Sequence, residues 1–259
     1  QIQRREALMQ VTFLGTGTSR GIPTVGCQCM VCTSTNPKNK RLRSSLLIES
    51  EVNVVIDTSV DFRTQMLQHN VTHLDAVVYT HCHMDHILGL DDVYPFNMWA
   101  GKTTRAYASP ATLKEIQVTF RHLFQGELYP GVPELELVPI EGKFKIGDLE
   151  FEPLEVLHGN MPVLGFRVGR FAYITDVSHI PEKAIRQLEG IEYLALGGLR
   201  YLSHPKHFTL SEAAEMAHQL ETRETYLVHM NHDVDHEEGN ASLPESVSLA
   251  YDGLILEIA

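Results

Sequence analysis

Four side chains able to hold a metal ion crowd into six residues of this chain, within the run Thr80-His81-Cys82-His83-Met84-Asp85-His86. The apolar segment Ala76–Tyr79 just before it reads as a strand, so these groups fall at a strand's C-terminal end, where α/β sheets place ligand sites. They do not comfortably face one ion. His81 and His83 converge from an extended loop, while Asp85 and His86 begin the next turn and point elsewhere, so two neighbouring cations are the natural arrangement. The H-x-H-x-D-H spacing at a strand end is specific enough to outweigh a surface histidine cluster. His158 follows a strand read over Leu149–Val156, Asp176 ends Phe171–Ile174, and His229 ends Thr225–Val228. Each alone would read as a cap or a satisfied polar group. Together they put three more donors at strand ends on one rim of a sheet. A second cluster, Cys27, Cys29 and Cys32, takes three of the four cysteines. Such crowding suits thiolate ligation in a reducing compartment better than a disulfide framework.

Short strands alternating with turns and helices must carry these groups. Met9–Leu14, Ser45–Ile48, Asn53–Ile56, Leu164–Val168, Tyr193–Leu196 and Leu254–Ile258 also read as strands. Asp61–Gln68 behind an Asp61 cap, Ala111–Leu123, Pro181–Leu188 and Ser211–Leu220 with Ser211 as N-cap read as helices. No repeat or linker divides the chain. The mixture predicts a layered α/β or α+β fold in one domain over residues 9–259, with Met9 as a natural start. Gln1 to Leu8 is an unassigned N-terminal extension.

Composition narrows the function. At 259 residues, 43% hydrophobic and 21% charged, the chain is ordinary globular material rather than disordered or fibrous. No apolar run approaches the ~20 residues of a spanning helix, and no secretory leader opens the chain, so the expectation is a soluble cytoplasmic protein without a membrane partner. A net charge of −12 disfavours a broad nucleic-acid footprint. A phosphate-bearing substrate would need a locally positive site, which bound divalent cations provide. The 14 histidines favour metal. Ser34 to Arg43 and His232 to Glu245 read as polar surface loops, and Lys38, Lys40, Arg41 and Arg43 as a solvated basic face. Tyr94, Phe96 and Trp99 read as core, and Cys82 as a small buried filler. His69, His73, His122, His179, His204, His218 and His236 stand outside the pattern.

His81-x-His83-x-Asp85-His86 with His158, Asp176 and His229 resembles the metallo-β-lactamase superfamily, as does Leu14-Gly15-Thr16-Gly17-Thr18-Ser19 followed by Gly21-Ile22-Pro23. More narrowly, Cys27-x-Cys29-x-x-Cys32, the His229-x-x-His232 pair and Lys206-His207-Phe208 resemble the PhnP-like cyclic phosphodiesterases of the carbon–phosphorus lyase pathway. The resemblance runs from about Met9 to the C-terminus. It implies a four-layer αββα sandwich with the metals on one edge. By position, His81, His83 and His158 would hold one divalent metal, and Asp85, His86 and His229 a second, with Asp176 bridging. Cys27, Cys29, Cys32 and His232 would hold a structural zinc, since three thiolates and one imidazole make a closed tetrahedral shell. The mixed nitrogen and oxygen donors accept Mn or Zn, and equally Ni or Fe. Asp57, after Asn53–Ile56, would orient a metal-binding loop.

The activity implied is hydrolysis of small cyclic phosphate esters, of the ribosyl 1,2-cyclic or nucleoside 2′,3′-cyclic phosphate type. A hydroxide bridging the two cations would attack phosphorus, Asp85 and Asp176 would belong to the catalytic set, and His207, at the family's acid position, would protonate the leaving group. Two other enzymes share the ligand pattern. A ribonuclease Z-like tRNA 3′ processing endonuclease would need a basic arm, and none is visible. A glyoxalase II-like thioester hydrolase would not be expected to carry the cysteine cluster or His207. A zinc-stabilised binding module is the non-enzymatic reading. Members of the family are often dimers, so a homodimer is also implied.

Overall fold

The computed structural model describes residues 8–124 and 133–259. Gln1 to Ala7, nearly all of the unassigned extension, lie outside the described residues. Six strands of one sheet come from consecutive segments of the chain: β1 (Met9–Gly15), β2 (Ser45–Glu49), β3 (Asn53–Ile56), β4 (Ala76–Val78), β5 (Thr104–Ala108) and β6 (Leu135–Pro139). The second sheet holds β7 (Phe144–Ile146), β8 (Leu149–His158), β9 (Met161–Val168), β10 (Phe171–Ile174), β11 (Tyr193–Gly197), β12 (Glu224–Val228) and β13 (Val247–Leu249). The last strand, β14 (Ile255–Ile258), returns to the first sheet and pairs antiparallel with β1, Met9 opposite Ile258. The sheet orders are β14-β1-β2-β3-β4-β5-β6 and β13-β12-β11-β10-β9-β8-β7.

The alternation of side chains explains why so many strands read as unbroken apolar runs. Along β3, Val54 and Ile56 face the other sheet while Val55 faces outward, and along β10 Phe171 and Tyr173 face inward while Ala172 and Ile174 do not. Both faces are covered, so neither can be polar. Three apolar layers result. Val11, Phe13, Ile48, Phe151, Phe166 and Phe171 pack between the sheets. The helices Phe62–Gln68, Met84–Ile87, Tyr94–Ala100 and Pro110–Thr119 cover the outer face of the first sheet, burying Phe62, Ile87, Phe96 and Ile116. Glu182–Gln187 and Leu210–Gln219 cover the second through Ala184, Leu210 and Ala213. This is the four-layer αββα sandwich.

Strand direction sets the rim. β3, β4, β5 and β6 run parallel, as do β10, β11, β12 and β13. β8 reaches β10 through two antiparallel steps, so it ends on the same side. The segments after β3, β4, β8, β10, β11 and β12 therefore open at common edges of the two sheets.

Several local expectations are corrected. The helix Leu210–Gln219 is capped by Thr209, whose hydroxyl accepts from the Glu212 amide while Glu212 returns to the Thr209 amide, not by Ser211. Asp61 makes no side-chain cap; its carboxylate takes the Arg43 amide and guanidinium instead. The basic run is not a solvated face. Arg41 is fully buried and donates to the Val234 carbonyl and Asn39, and Lys40 donates to the Cys32 carbonyl. Within His232 to Glu245, a helix forms over His236–Ala241 with Asp235 as its cap. Phe96 is core, but Trp99 is 78% exposed beside an outer groove. No helix among the described residues is long and apolar enough to cross a membrane.

Candidate metal centre

The centre is built by chain segments leaving strand ends. β4 delivers Thr80 and then His81, His83, Asp85 and His86, the last two in the short helix Met84–Ile87. β8 ends on His158, Asp176 follows β10, and His229 follows β12. Close packing of β10 and β11 needs Gly197, because a β-carbon there would sit 1.7 Å from the Thr175 carbonyl oxygen. His229 and Asp57 both adopt left-handed backbone conformations, φ 61° and 64°. Such strain in non-glycine residues is held only where the surroundings over-determine it, and it concentrates at functional sites.

Donor atoms converge in sets. Ligand atoms of His81, His83, His158 and Asp176 lie within 4.8 Å of one another, as do those of Asp85, His86 and His229. The two oxygens of Asp176 divide between the sets. Oδ1 lies 3.3 Å from both His86 Nε2 and His229 Nε2. Oδ2 lies 3.9 Å from His81 Nε2 and 3.8 Å from His158 Nε2.

The outer contacts orient the imidazoles. Asp57 Oδ2 accepts from His86 Nδ1 at 2.7 Å, which turns His86 Nε2 toward Asp85 and Asp176. His158 Nδ1 donates to the Lys206 carbonyl at 2.8 Å, to the same effect. Asp57 is also fixed, by the Thr80 amide and hydroxyl at 2.8 Å each. Burial pushes the Asp57 carboxyl upward against the pull of His86 and Thr80. Burial also opposes the charged form of Asp176, but the imidazoles of His229 and His86 outweigh it and hold that carboxyl well below its usual range.

A metal fits these residues on their own chemistry. His86 Nε2 and His229 Nε2 are buried and have no hydrogen-bond partner among the described residues. Buried polar atoms left orphaned are costly and call for an ion. The cysteine cluster behaves alike: Sγ of Cys27, Cys29 and Cys32 lie 3.2, 3.5 and 3.7 Å from His232 Nδ1. The Cys32 amide, donating to Cys29 Sγ, is the largest influence drawing the Cys29 thiol down to about 6, which favours the thiolate a metal needs. Burial pushes Cys32 up.

His207 stands over the centre. Its ring stacks on His229 at 4.9 Å and meets His158 edge-on at 4.5 Å, and its Nε2 lies 4.0 Å from Asp176 Oδ2. Burial, then the neighbouring His229, pushes it down to about 3. His204, 5.0 Å away ring to ring, accepts the Lys206 amide. Cys82 is half-buried rather than a sealed filler, and with His81 it borders a groove of about 450 Å³ walled by Pro110, Met161 and Val163. His69, His73, His122, His179, His218 and His236 join none of the donor sets. Sequence reasoning missed the role of Arg41, which ties the cysteine loop to the segment after His229; a basic run gives no signal of which member is buried.

Comparison with known proteins agrees with this architecture. Residues 52–230 match the model of the beta-lactamase superfamily domain. A crystal structure described as a new diphosphatase from the PhnP family superposes with a TM-score of 0.91 at 38% identity, covering 97% of this chain and 98% of that one. A metallo-beta-lactamase fold protein, YhfI of Bacillus subtilis, superposes at 0.75 with 19% identity over 98% and 100% of the two chains, which speaks for the fold alone. An octanoyltransferase of Porphyromonas gingivalis is 38% identical over 252 residues, 95% of this chain and 51% of that protein; the chain thus spans about half the length of that relative. The chain belongs to the metallo-β-lactamase superfamily. Within it the chain is PhnP-like.

Proposed function

We propose that the chain hydrolyses small phosphodiesters at a dinuclear centre, His81, His83 and His158 holding one divalent metal, Asp85, His86 and His229 the other, and Asp176 bridging. The observation that carries the reading is the division of the Asp176 oxygens, one toward each donor set. When bound, two such cations lower the pKa of water and neutralise phosphate charge during in-line displacement. The chain's own residues supply the rest. Asp57 and the Lys206 carbonyl keep the ring protons of His86 and His158 away from the centre. His207, stacked on His229 over the centre, relays the proton of the attacking water to the leaving oxygen as the phosphorus–oxygen bond breaks. Cys27, Cys29, Cys32 and His232 hold a structural zinc.

Cyclic phosphate is the substrate that the sequence implies. A diphosphate is a second reading, favoured by the diphosphatase at 38% identity. Acyl transfer is less well supported: half of the octanoyltransferase lies outside the match, so the activity in its name need not reside in the shared half. The −12 charge and the absence of a basic arm in the sequence speak against a tRNA substrate. The test is a panel of bis(p-nitrophenyl) phosphate, a nucleoside 2′,3′-cyclic phosphate, a dinucleoside diphosphate, precursor tRNA and a glutathione thioester, with metal content measured alongside. Turnover of phosphorus esters with two active-site metals per chain is expected. Cleavage confined to the tRNA or the thioester would overturn the proposal.

A further inference from the structure

We infer that Lys206 is the specificity-determining contact for a second phosphoryl group, so that the site prefers diphosphate-linked substrates to isolated diesters; the inference rests on the phosphodiester reading above. Both ends of the Lys206 peptide are pinned. Its amide donates to His204 Nδ1 at 3.2 Å, and its carbonyl accepts from His158 Nδ1 at 2.8 Å. The backbone of this lysine is therefore held directly against a residue of the donor set. The loop carrying it is closed at its base, where the Leu199 amide meets the Phe208 carbonyl at 2.9 Å and the Phe208 amide meets the Val177 carbonyl at 2.7 Å.

The side chain has a bed. Gly159, immediately after His158 and at φ 64°, lies directly under the lysine stem: a β-carbon there would lie 3.0 Å from Lys206 Cγ and 3.7 Å from its Cδ and Cε. The lysine stem thus lies along the turn that follows His158, a residue of the donor set. That ammonium is exposed and makes no ion pair or hydrogen bond to any described residue. By contrast, Lys40, Lys102 and Lys143 are engaged with a carbonyl or carboxylates, and Arg200 of the same loop gives its guanidinium to the carbonyls of Leu202 and Ser203.

Charge selects the ligand. A phosphodiester carries one negative charge, which the metals would neutralise. A diphosphate bridging two groups carries two, and the second lies beyond the attacked phosphorus, where an outlying ammonium can meet it.

Isothermal titration of the metal-loaded protein with methylenediphosphonate and with methylphosphonate tests the inference, together with the ratio of kcat/KM for a dinucleoside diphosphate to that for bis(p-nitrophenyl) phosphate. A charge-assisted contact of this kind is worth about tenfold or more. Lys206→Gln should cut both the diphosphonate preference and the kinetic ratio about tenfold, the latter through KM, and Lys206→Arg should largely restore them. The substituted side chain is exposed, and metal analysis with a thermal melt would confirm intact protein. If Lys206→Gln leaves both ratios unmoved while diesters are still hydrolysed, the inference fails and the phosphodiester reading stands. If the wild type neither binds a phosphonate nor turns over any phosphorus ester, both fall.

Discussion

Replacing Asp57 by asparagine isolates one proton on one ring. Asp57 Oδ2 accepts from His86 Nδ1 at 2.7 Å, which keeps a proton on Nδ1 and leaves Nε2 as the atom that would ligate a metal. The asparagine side chain keeps an oxygen for the Thr80 amide, now bound by Oδ1 at 2.8 Å, and places its NH2 toward His86. The ring must then present a lone pair at Nδ1 and carry its proton on Nε2, the atom aimed at Asp85 and Asp176. Disturbing such an orienting carboxylate typically costs 10–100-fold in metal affinity, about 1.4–2.7 kcal/mol. The backbone should tolerate the change, because asparagine accepts the left-handed φ of 64° almost as well as aspartate. Asp57→Asn should therefore lower affinity at the Asp85, His86 and His229 site by one to two orders of magnitude while shifting fold stability by only about 1–2 kcal/mol. Asp57→Ala removes three hydrogen bonds to a fully buried carboxylate and should cost about 4 kcal/mol or more of stability. Metal titration of chelator-treated protein by calorimetry, with denaturant melts of both variants, reads the two effects separately. Unchanged affinity of Asp57→Asn for the second metal would refute the tautomer argument.

Three further outcomes are expected. His207→Gln should depress kcat about 100-fold on substrates with alkoxide leaving groups and far less on p-nitrophenyl esters, since only the former need a proton; equal losses in a paired assay would remove His207 from proton transfer. His236 is buried beside Lys38 and Arg41, and burial foremost pushes it down to about 4. The unfolded chain then binds the extra proton first, so this residue's contribution is complete above about pH 6.5 and is lost as pH falls toward 4, by about 3 kcal/mol at most. His236→Phe should flatten that part of a stability–pH profile, and a profile identical to wild type would contradict it. Cys32→Ser should abolish zinc at the cysteine cluster, seen as one fewer metal per chain, and lower the melting temperature by several degrees.

What is legible in the sequence follows from burial on two faces. β4 and β10 have to be apolar throughout, and β3 is so after Asn53, so composition alone exposes them, and the C-terminal ends of β4, β10 and β12 place His81, Asp176 and His229 on one rim. β5 and β6 escape such a reading, because Thr104-Arg105-Ala106-Tyr107-Ala108 and Leu135-Glu136-Leu137 alternate with charge along the outer part of their sheet. β7 and β13 are three residues each, too short for a periodic signal. The Thr209 cap is missed by two residues because Ser211 offers the same hydroxyl chemistry. Only the reciprocal bond with Glu212 distinguishes them, and that is a property of folded geometry. The burial of Arg41 is likewise illegible: nothing local separates it from Lys40 and Arg43, and its partner Val234 lies 193 residues away.

That distant pairing connects the two donor clusters physically. His229 holds a left-handed backbone, and the residues after it are tethered one by one. Met230 exchanges hydrogen bonds with Thr16 and Thr18 at 3.0 Å each, the Asn231 amide meets the Leu199 carbonyl at 2.8 Å, His232 joins the cysteines, and the Val234 carbonyl takes the Arg41 guanidinium at 2.8 Å. A strained residue costing about 1–3 kcal/mol relaxes unless its neighbours are fixed on both sides. β12 fixes one side of His229, and on the other the chain would be an exposed polar loop were it not for these anchors. The cysteine cluster and the buried arginine thus form the second wall of the vice that keeps the His229 imidazole on target. This explains why His232, which joins the cysteine cluster, stands three residues from His229, a member of the other donor set.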